Sequence, residues 1–290
     1  MINKKKVRLS PIFIIGIGRS GSTIFHKMLC EHPALYWLSE RICNRFPNNP
    51  IINNFLMCLV DKPIIGNRFR KWFYPGEVYN FWNFYFRGFS NPYRDLTKAD
   101  VTNRAKKDIR NIFKKLNTAR KVRHLVKITG WNRIGFLYEI FPDAKFIHVK
   151  RDPRAVINSF LNVEFWSGWR GPLNWRMGPI SEDQKKELET FNHSFVALAG
   201  IKLELLQNAL ELAVNQLPKD RFLEIKYEDL CENAEFIIKE FLDFSGLEWN
   251  AAFEARLRKY NLKNTNYKWK QDLTKEQQNI AQYYYEKLEY

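Results

Sequence analysis

The sequence predicts an α/β fold, a P-loop-like central parallel sheet flanked by helices, and three observations carry that prediction. Four short apolar runs, at residues 11–17, 124–128, 145–149 and 221–225, have the length and composition of buried strands. Each is followed by a helix-compatible segment, and strands alternating with helices imply a parallel sheet. The first run ends in the Gly-rich turn Gly16-Ile-Gly18-Arg19-Ser20-Gly21-Ser22-Thr23, which opens a helix-like stretch to Glu31.

The first run, with Ile12 to Ile15 at its heart, superficially resembles a signal peptide behind the basic start Lys4-Lys5-Lys6. It is too short for an apolar signal core, and no small-residue cleavage site follows, so a buried strand is the better reading. Residues 60–100 are crowded with aromatics and turn formers, and residues 163–181 carry three tryptophans with glycines and prolines. Both read as inserts between core elements. A long amphipathic helix is expected over about 183–216, Pro218 marks the turn before the last strand, and the C-terminal ~17 residues look helical. No repeat, low-complexity tract or Gly/Ser linker divides the 290 residues, so a single domain over 1–290 is expected.

No stretch approaches the roughly 20 apolar residues of a membrane span. Cys30, Cys43, Cys58 and Cys231 form no C-x-x-C pair and no zinc spacing with histidine, which leaves no metal site to predict. They read as reduced thiols in a cytoplasmic protein; an oxidising compartment would instead let Cys43 and Cys58 pair. The net charge of +16 and pI of about 9.6 favour an anionic partner, such as a phosphorylated nucleotide, a nucleic acid or an acidic surface, or serve solubility alone.

In folds of this class ligands bind beyond the carboxyl ends of the strands, so the loops after the four runs are the informative ones. After the first, glycines let the backbone approach an anion and the helix N-terminus adds positive potential. The spacing Gly16-x-x-x-x-Gly21 matches a P-loop, but Ser22 stands where an NTPase has its lysine, and Arg19 supplies the charge from inside the loop. Asp152, behind Lys150 and Arg151, is a poor magnesium ligand. The loop therefore reads as an anion site without the NTPase magnesium apparatus.

Arg19-Ser20-Gly21-Ser22-Thr23, with its helix and His32-Pro33, resembles the 5′-phosphosulfate loop of sulfotransferases that use 3′-phosphoadenosine-5′-phosphosulfate (PAPS). The Arg-Ser-Gly form is similar to the Golgi and bacterial branches, including tyrosylprotein and carbohydrate sulfotransferases. A second block, Phe146 to Ser159, resembles the 3′-phosphate motif, with Arg151 at a strand end and Ser159 eight residues later. There the Arg makes charge-assisted bonds to phosphate and the Ser, two helical turns along, closes on another oxygen. Lys226-Tyr227-Glu228-Asp229-Leu230 is similar to the family's Tyr-Glu-x-Leu segment, which puts Tyr227 near the adenine end. Lys268-Trp269-Lys270 resembles its C-terminal Lys-Trp element, which puts Lys268 at a phosphate.

The resemblance implies a sulfotransferase fold, PAPS as co-substrate with adenosine 3′,5′-bisphosphate (PAP) as product, and no metal. Cofactor-binding residues would be Arg19, Ser20, Gly21, Ser22, Thr23, Arg151, Ser159, Tyr227 and Lys268. Catalytic residues would be Glu40 as base, by its offset from His32, Lys127 beside the bridging oxygen, and Arg19. Glu40 also reads as a helix-capping or salt-bridged carboxylate, Lys127 as a solvated strand-end cation and Tyr227 as a core residue. His26 and His148 read as structural. Val163 stands where the tyrosylprotein branch has an arginine, a departure from that branch.

The aromatics of 72–93 and 165–175 suit a sugar, phenol, tyrosine or small alcohol as acceptor, or form an aromatic mini-core. Three rival readings stand beside the enzyme: a phosphoryl transferase with an unusual magnesium site, a basic and aromatic nucleic-acid binder, and a catalytically inactive nucleotide-binding relative.

Overall fold

The computed structural model describes residues 10–290 except 91, 92, 122, 173, 174 and 176. Its sheet has five strands: β1 (Ile12–Gly16), β2 (Leu35–Tyr36), β3 (Arg123–Thr129), β4 (Lys145–Lys150) and β5 (Phe222–Lys226). They run parallel in the order β2-β3-β1-β4-β5. The four predicted runs are all strands. The fifth, β2, pairs Leu35 with Arg123 at the edge, and two residues are too few to announce a strand by pattern.

Helices cover both faces, so the central strand is wholly buried: Ile12, Phe13, Ile14 and Ile15 have no exposed surface. Burying side chains of this size contributes about 1.5–3 kcal/mol each. Apolar packing is organised as two clusters. The larger surrounds the sheet, the helix Ser22–Leu29 and residues 35–116. The smaller joins the helices Pro153–Leu161, Phe195–Val214 and Lys275–Lys287.

The single helix expected over 183–216 is two helices, Glu182–Thr190 and Phe195–Val214. Asn192 and His193 between them have φ of 49° and 55°, a left-handed turn that no helix crosses. Ser194 restarts the second helix by accepting the Val196 N–H at 3.2 Å. Neither Gly nor Pro marks the break, which is why periodicity ran through it.

The register Gly16↔Thr129 and Lys150↔Lys226 brings the carboxyl ends of β1, β3, β4 and β5 to one edge of the sheet. The Gly-rich turn, Arg151 and Tyr227 all follow directly from those ends.

Candidate active site

The turn after β1 is held by its own backbone, with the Ser20 N–H donating to Ile17 O at 3.1 Å. Gly21 opens the helix Ser22–Leu29 at φ 88°, and a Cβ there would lie 2.2 Å from the Tyr227 ring. Only glycine meets both demands. Arg19 is also left-handed, at φ 75°, a conformation unusual for a side chain of this size and frequent at functional loops. Ser20 and Ser22 are buried, and Ser20 Oγ has no hydrogen-bond partner among the described residues. A buried hydroxyl left over inside a Gly-rich helix N-terminus fits an anion such as a phosphosulfate.

The two specific sequence blocks meet on Arg19. Arg19 Nε donates to Ser159 Oγ at 2.7 Å, across 140 residues of chain. Arg151 Nη1 donates to Arg19 O at 2.9 Å. The Arg151 guanidinium also lies 4.5 Å from the Tyr227 ring centroid. Its remaining bonds run to Asn266 Oδ1 at 2.9 Å and Thr265 Oγ1 at 3.2 Å. Burial, then a hydrogen bond with Cys231, pushes the Tyr227 phenol up to about 12, so it stays neutral at ordinary pH. Ser159 reaches this cluster because Asp152 caps its helix, accepting the Arg154 N–H at 2.9 Å, and Pro153 starts it. Lys268 stands exposed beside this cluster; its neighbours Thr265 and Asn266 are the ones that hold Arg151.

Lys127 points from β3 to the other side of the loop. Its Nζ donates to Thr23 Oγ1 at 2.9 Å and pairs with Glu77 Oε1 at 2.7 Å, with the lysine side chain only 7% exposed. Thr129 Oγ1 donates to the same Glu77 oxygen at 2.9 Å. Lys127 is therefore a buried, paired cation. His26, beneath it, is held neutral: burial and then Lys127 pull its pKa down to about 3. His148 bonds Glu224 at 2.9 Å behind the site. Both histidines are buried.

Glu40 begins the helix Glu40–Arg45, which Ser39 caps. Its Oε2 accepts the Val78 N–H at 2.9 Å, and its backbone N–H donates to Tyr74 O at 3.0 Å. A Cβ on Gly76 would lie 1.9 Å from that carboxylate. Glu40 thus clamps the loop 74–78, the loop that carries Glu77.

A cleft of about 670 Å³ opens beside the phosphate loop, lined by Gly18, Arg19, Ser22, Thr23, Glu77 and Thr129 on one side. Phe165, Trp166, Trp169 and Trp175 line the other. The 163–181 insert is a cleft wall. The 72–93 insert sends Phe81, Trp82 and Phe89 into the core at 0% exposure, and among its described residues Glu77, Tyr79 and Ser90 reach the cleft. Arg133, itself buried, fastens that insert to the end of β3 through Phe89 O at 2.9 Å. Lys202 also lines the cleft, its ammonium 4.1 Å from the Phe160 ring and 5.1 Å from Trp166, and burial pulls its pKa down to about 8.

Among the predicted residues, Arg19, Ser20, Gly21, Ser22, Thr23, Arg151, Ser159, Tyr227 and Lys127 gather at one edge, while Glu40 stands behind the loop that carries Glu77. Sequence reasoning missed Glu77, Thr129, Lys202 and the Thr265-Asn266 pair. Glu77 is a lone acid between Gly76 and Val78, fifty residues from Lys127, and no local pattern marks it. Among the described residues, no three His, Cys, Asp or Glu side chains form a metal-holding group.

A parallel sheet with a glycine-rich loop after β1, the Arg19, Ser159 and Arg151 cluster beside it and an adjoining cleft place the chain in the P-loop-like α/β class. Residues 11–251 match the Sulfotransferase family, and the chain belongs to it. It is a sulfotransferase, and membership carries with it the PAPS donor that the motifs imply. The omega-hydroxy-beta-dihydromenaquinone-9 sulfotransferase Stf3 of Mycobacterium tuberculosis is 25% identical over 304 aligned positions, covering 93% of this chain and 72% of that one. The sulfotransferase domain from the curacin biosynthetic pathway superposes with a TM-score of 0.52 at 16% identity, covering 94% of this chain and 96% of that domain. Sulfotransferase STF9 from Mycobacterium avium gives 0.51 at 17% identity, over 96% of this chain and 77% of that one. Both structures share the fold. No helix among the described residues is long and apolar enough to cross a membrane.

Proposed function

We propose that this protein transfers a sulfuryl group in line from PAPS to a hydroxyl of an acceptor held in the aromatic cleft. The observation that carries the reading is the convergence of Arg19, Ser159 and Arg151 beside the glycine loop, from sequence blocks 130 residues apart. In this reading Arg151 and Ser159 hold the 3′-phosphate, Tyr227 flanks the adenine end, and Lys268 adds charge at a phosphate. The loop residues Arg19 to Thr23 hold the phosphosulfate. An acceptor O–S bond forms as the S–O bond to phosphate breaks, the bridging oxygen keeps the electron pair, and the acceptor proton passes to a carboxylate. Lys127 and Arg19 stabilise the negative charge on the leaving oxygen.

Family offset implies Glu40 as that base. A specific observation favours Glu77 instead: Glu77 faces the cleft beside Lys127, whereas Glu40 is engaged with the Val78 N–H. We assign Glu77 as base and Glu40 as the residue that positions its loop. The hydroxyl acceptor agrees with the printed name of the mycobacterial relative, an omega-hydroxy compound's sulfotransferase, and the Phe165, Trp166, Trp169 and Trp175 wall suits an acceptor with an apolar or ring-bearing body. A cytoplasmic location, where the four free thiols stay reduced, belongs to the same proposal.

Calorimetric titration with PAP, without magnesium, tests the reading. Wild type binds, and Arg151→Ala loses at least about ten-fold in affinity, the scale of one charge-assisted phosphate contact. A wild type that binds no PAP removes the sulfuryl-transfer reading. PAP binding without turnover of PAPS on any hydroxyl acceptor would leave an inactive relative.

A further inference from the structure

The segment 46–74 presents an unusual surface. Phe46, Ile52, Phe55, Ile64, Ile65 and Trp72 are all exposed, Phe55 at 71% and Ile64 at 93%. On the helix Ile52–Leu59, the inner side buries Asn53, Leu56 and Met57, yet the outer side is Ile52, Phe55 and Cys58 rather than polar residues. A helix that turns apolar side chains outward as well as inward normally meets a partner or lipid on that outer side. The next helix, Gly66–Trp72, packs directly on this one: a Cβ on Gly66 would lie 2.4 Å from Val60 O, and Arg70 Nε donates to that same oxygen at 3.1 Å. The turn joining them carries Ile64 and Ile65, so the exposed side chains belong to one packed unit.

Charge tells what this surface meets. Between residues 41 and 76 the exposed charges are Arg41, Arg45, Lys62, Arg68 and Lys71. The one acid C-terminal to Glu40 in that span, Asp61, is turned inward onto Arg70, Lys121 and Arg256. Apolar side chains set among cations, with no exposed acid, complement an anionic lipid headgroup layer over an acyl interior. A second copy of the same surface would set five cations against five. We propose that segment 46–74 is the face by which this protein docks, without spanning, onto an anionic lipid bilayer. Tyr74 lies three residues before Glu77, so docking would bring the membrane next to the loop that edges the cleft. The proposal is independent of the donor and of the base.

Co-sedimentation of the full chain with phosphatidylcholine vesicles, with and without phosphatidylglycerol, tests it. Wild type should sediment with the phosphatidylglycerol vesicles and stay in solution with phosphatidylcholine alone. Lys62→Glu/Arg68→Glu should lower partitioning by at least about five-fold per charge. Phe55→Ser/Ile64→Ser, at exposed sites, should lower it as well, with PAP affinity unchanged in both variants as proof of folding. Three outcomes overturn the proposal. Wild type stays in solution with either vesicle, or Phe55→Ser/Ile64→Ser partitions as wild type does, or wild type is a dimer that this variant converts to a monomer.

Discussion

In the proposed mechanism Glu40 and Glu77 divide between them what a single carboxylate was expected to do. Glu40 accepts the Val78 N–H at 2.9 Å and has Gly76 against its carboxylate; Glu77 pairs with Lys127 at 2.7 Å on the cleft wall. A group that takes the acceptor proton must reach the acceptor, so Glu77→Gln should lower kcat by about 10²–10⁴-fold, the range for loss of a general base. It should leave PAP affinity intact. Glu40→Gln keeps an acceptor oxygen for Val78, so its kcat should fall less. If instead Glu40→Gln costs kcat the larger factor and Glu77→Gln little, the offset from His32 names the base. Sequence alone could not make this division. Glu40 was legible by its distance from a motif, whereas Glu77 earns its role from a contact with β3 across fifty residues.

At the scale of elements, what was legible follows burial. β1, β3 and β4 were readable because strands buried on both faces are largely apolar runs, the half-exposed edge strand β5 was readable from Phe222, Leu223 and Ile225, and the loops after all four carried residues whose types suit an anion. β2 was too short to read, and the turn at Asn192-His193 was hidden among residues with no helix-breaking signature. The two aromatic inserts met unequal fates: Phe81, Trp82 and Phe89 went to the larger core, while Trp166, Trp169 and Trp175 line the cleft, Trp166 and Trp175 from within the smaller cluster, a partition only the tertiary fold decides. Charged clusters were equally invisible. Asp61 ties three elements, through Arg70 at 2.8 Å, Arg256 at 2.9 Å and buried Lys121 at 3.0 Å. Burial pushes its carboxyl up, but Lys121, Arg70 and Arg256 together outweigh that and hold it below the usual value of 3.8. A carboxyl lowered in the folded state stabilises above its unfolded pKa and loses that contribution as pH falls through its folded one. Asp61→Asn should therefore cost about 3 kcal/mol at pH 7, the low end for breaking a buried pair because 16% of the Asp61 side chain is exposed. The gap from wild type should close below about pH 3.8. Urea unfolding at pH 7 and in acid measures it; a gap that does not narrow in acid would remove the ion-pair explanation.

The whole molecule puts the proposed nucleotide site on the seam between its two apolar clusters. Gly18 approaches Phe160 of the smaller cluster, Gly21 approaches Tyr227, and Arg151 reaches from the end of β4 to Asn266 ahead of the last two helices. We propose on this ground that residues 1–290 unfold as one domain, since a ligand at the seam touches elements of both clusters. Any ligand that binds only the folded state stabilises it by RT ln(1 + [L]/Kd), about 2.7 kcal/mol at a hundred-fold excess over Kd. For a chain of this size that is a rise of several degrees in Tm. Calorimetric unfolding of wild type should therefore give one transition that moves up as a unit with PAP, and at the same PAP concentration the Arg151→Ala transition should move no more than about half as far. Two transitions, of which PAP shifts only one, would mean that the clusters are separate folding units and that the nucleotide is held by the sheet alone, with Asn266 and Ser159 contributing nothing to its binding.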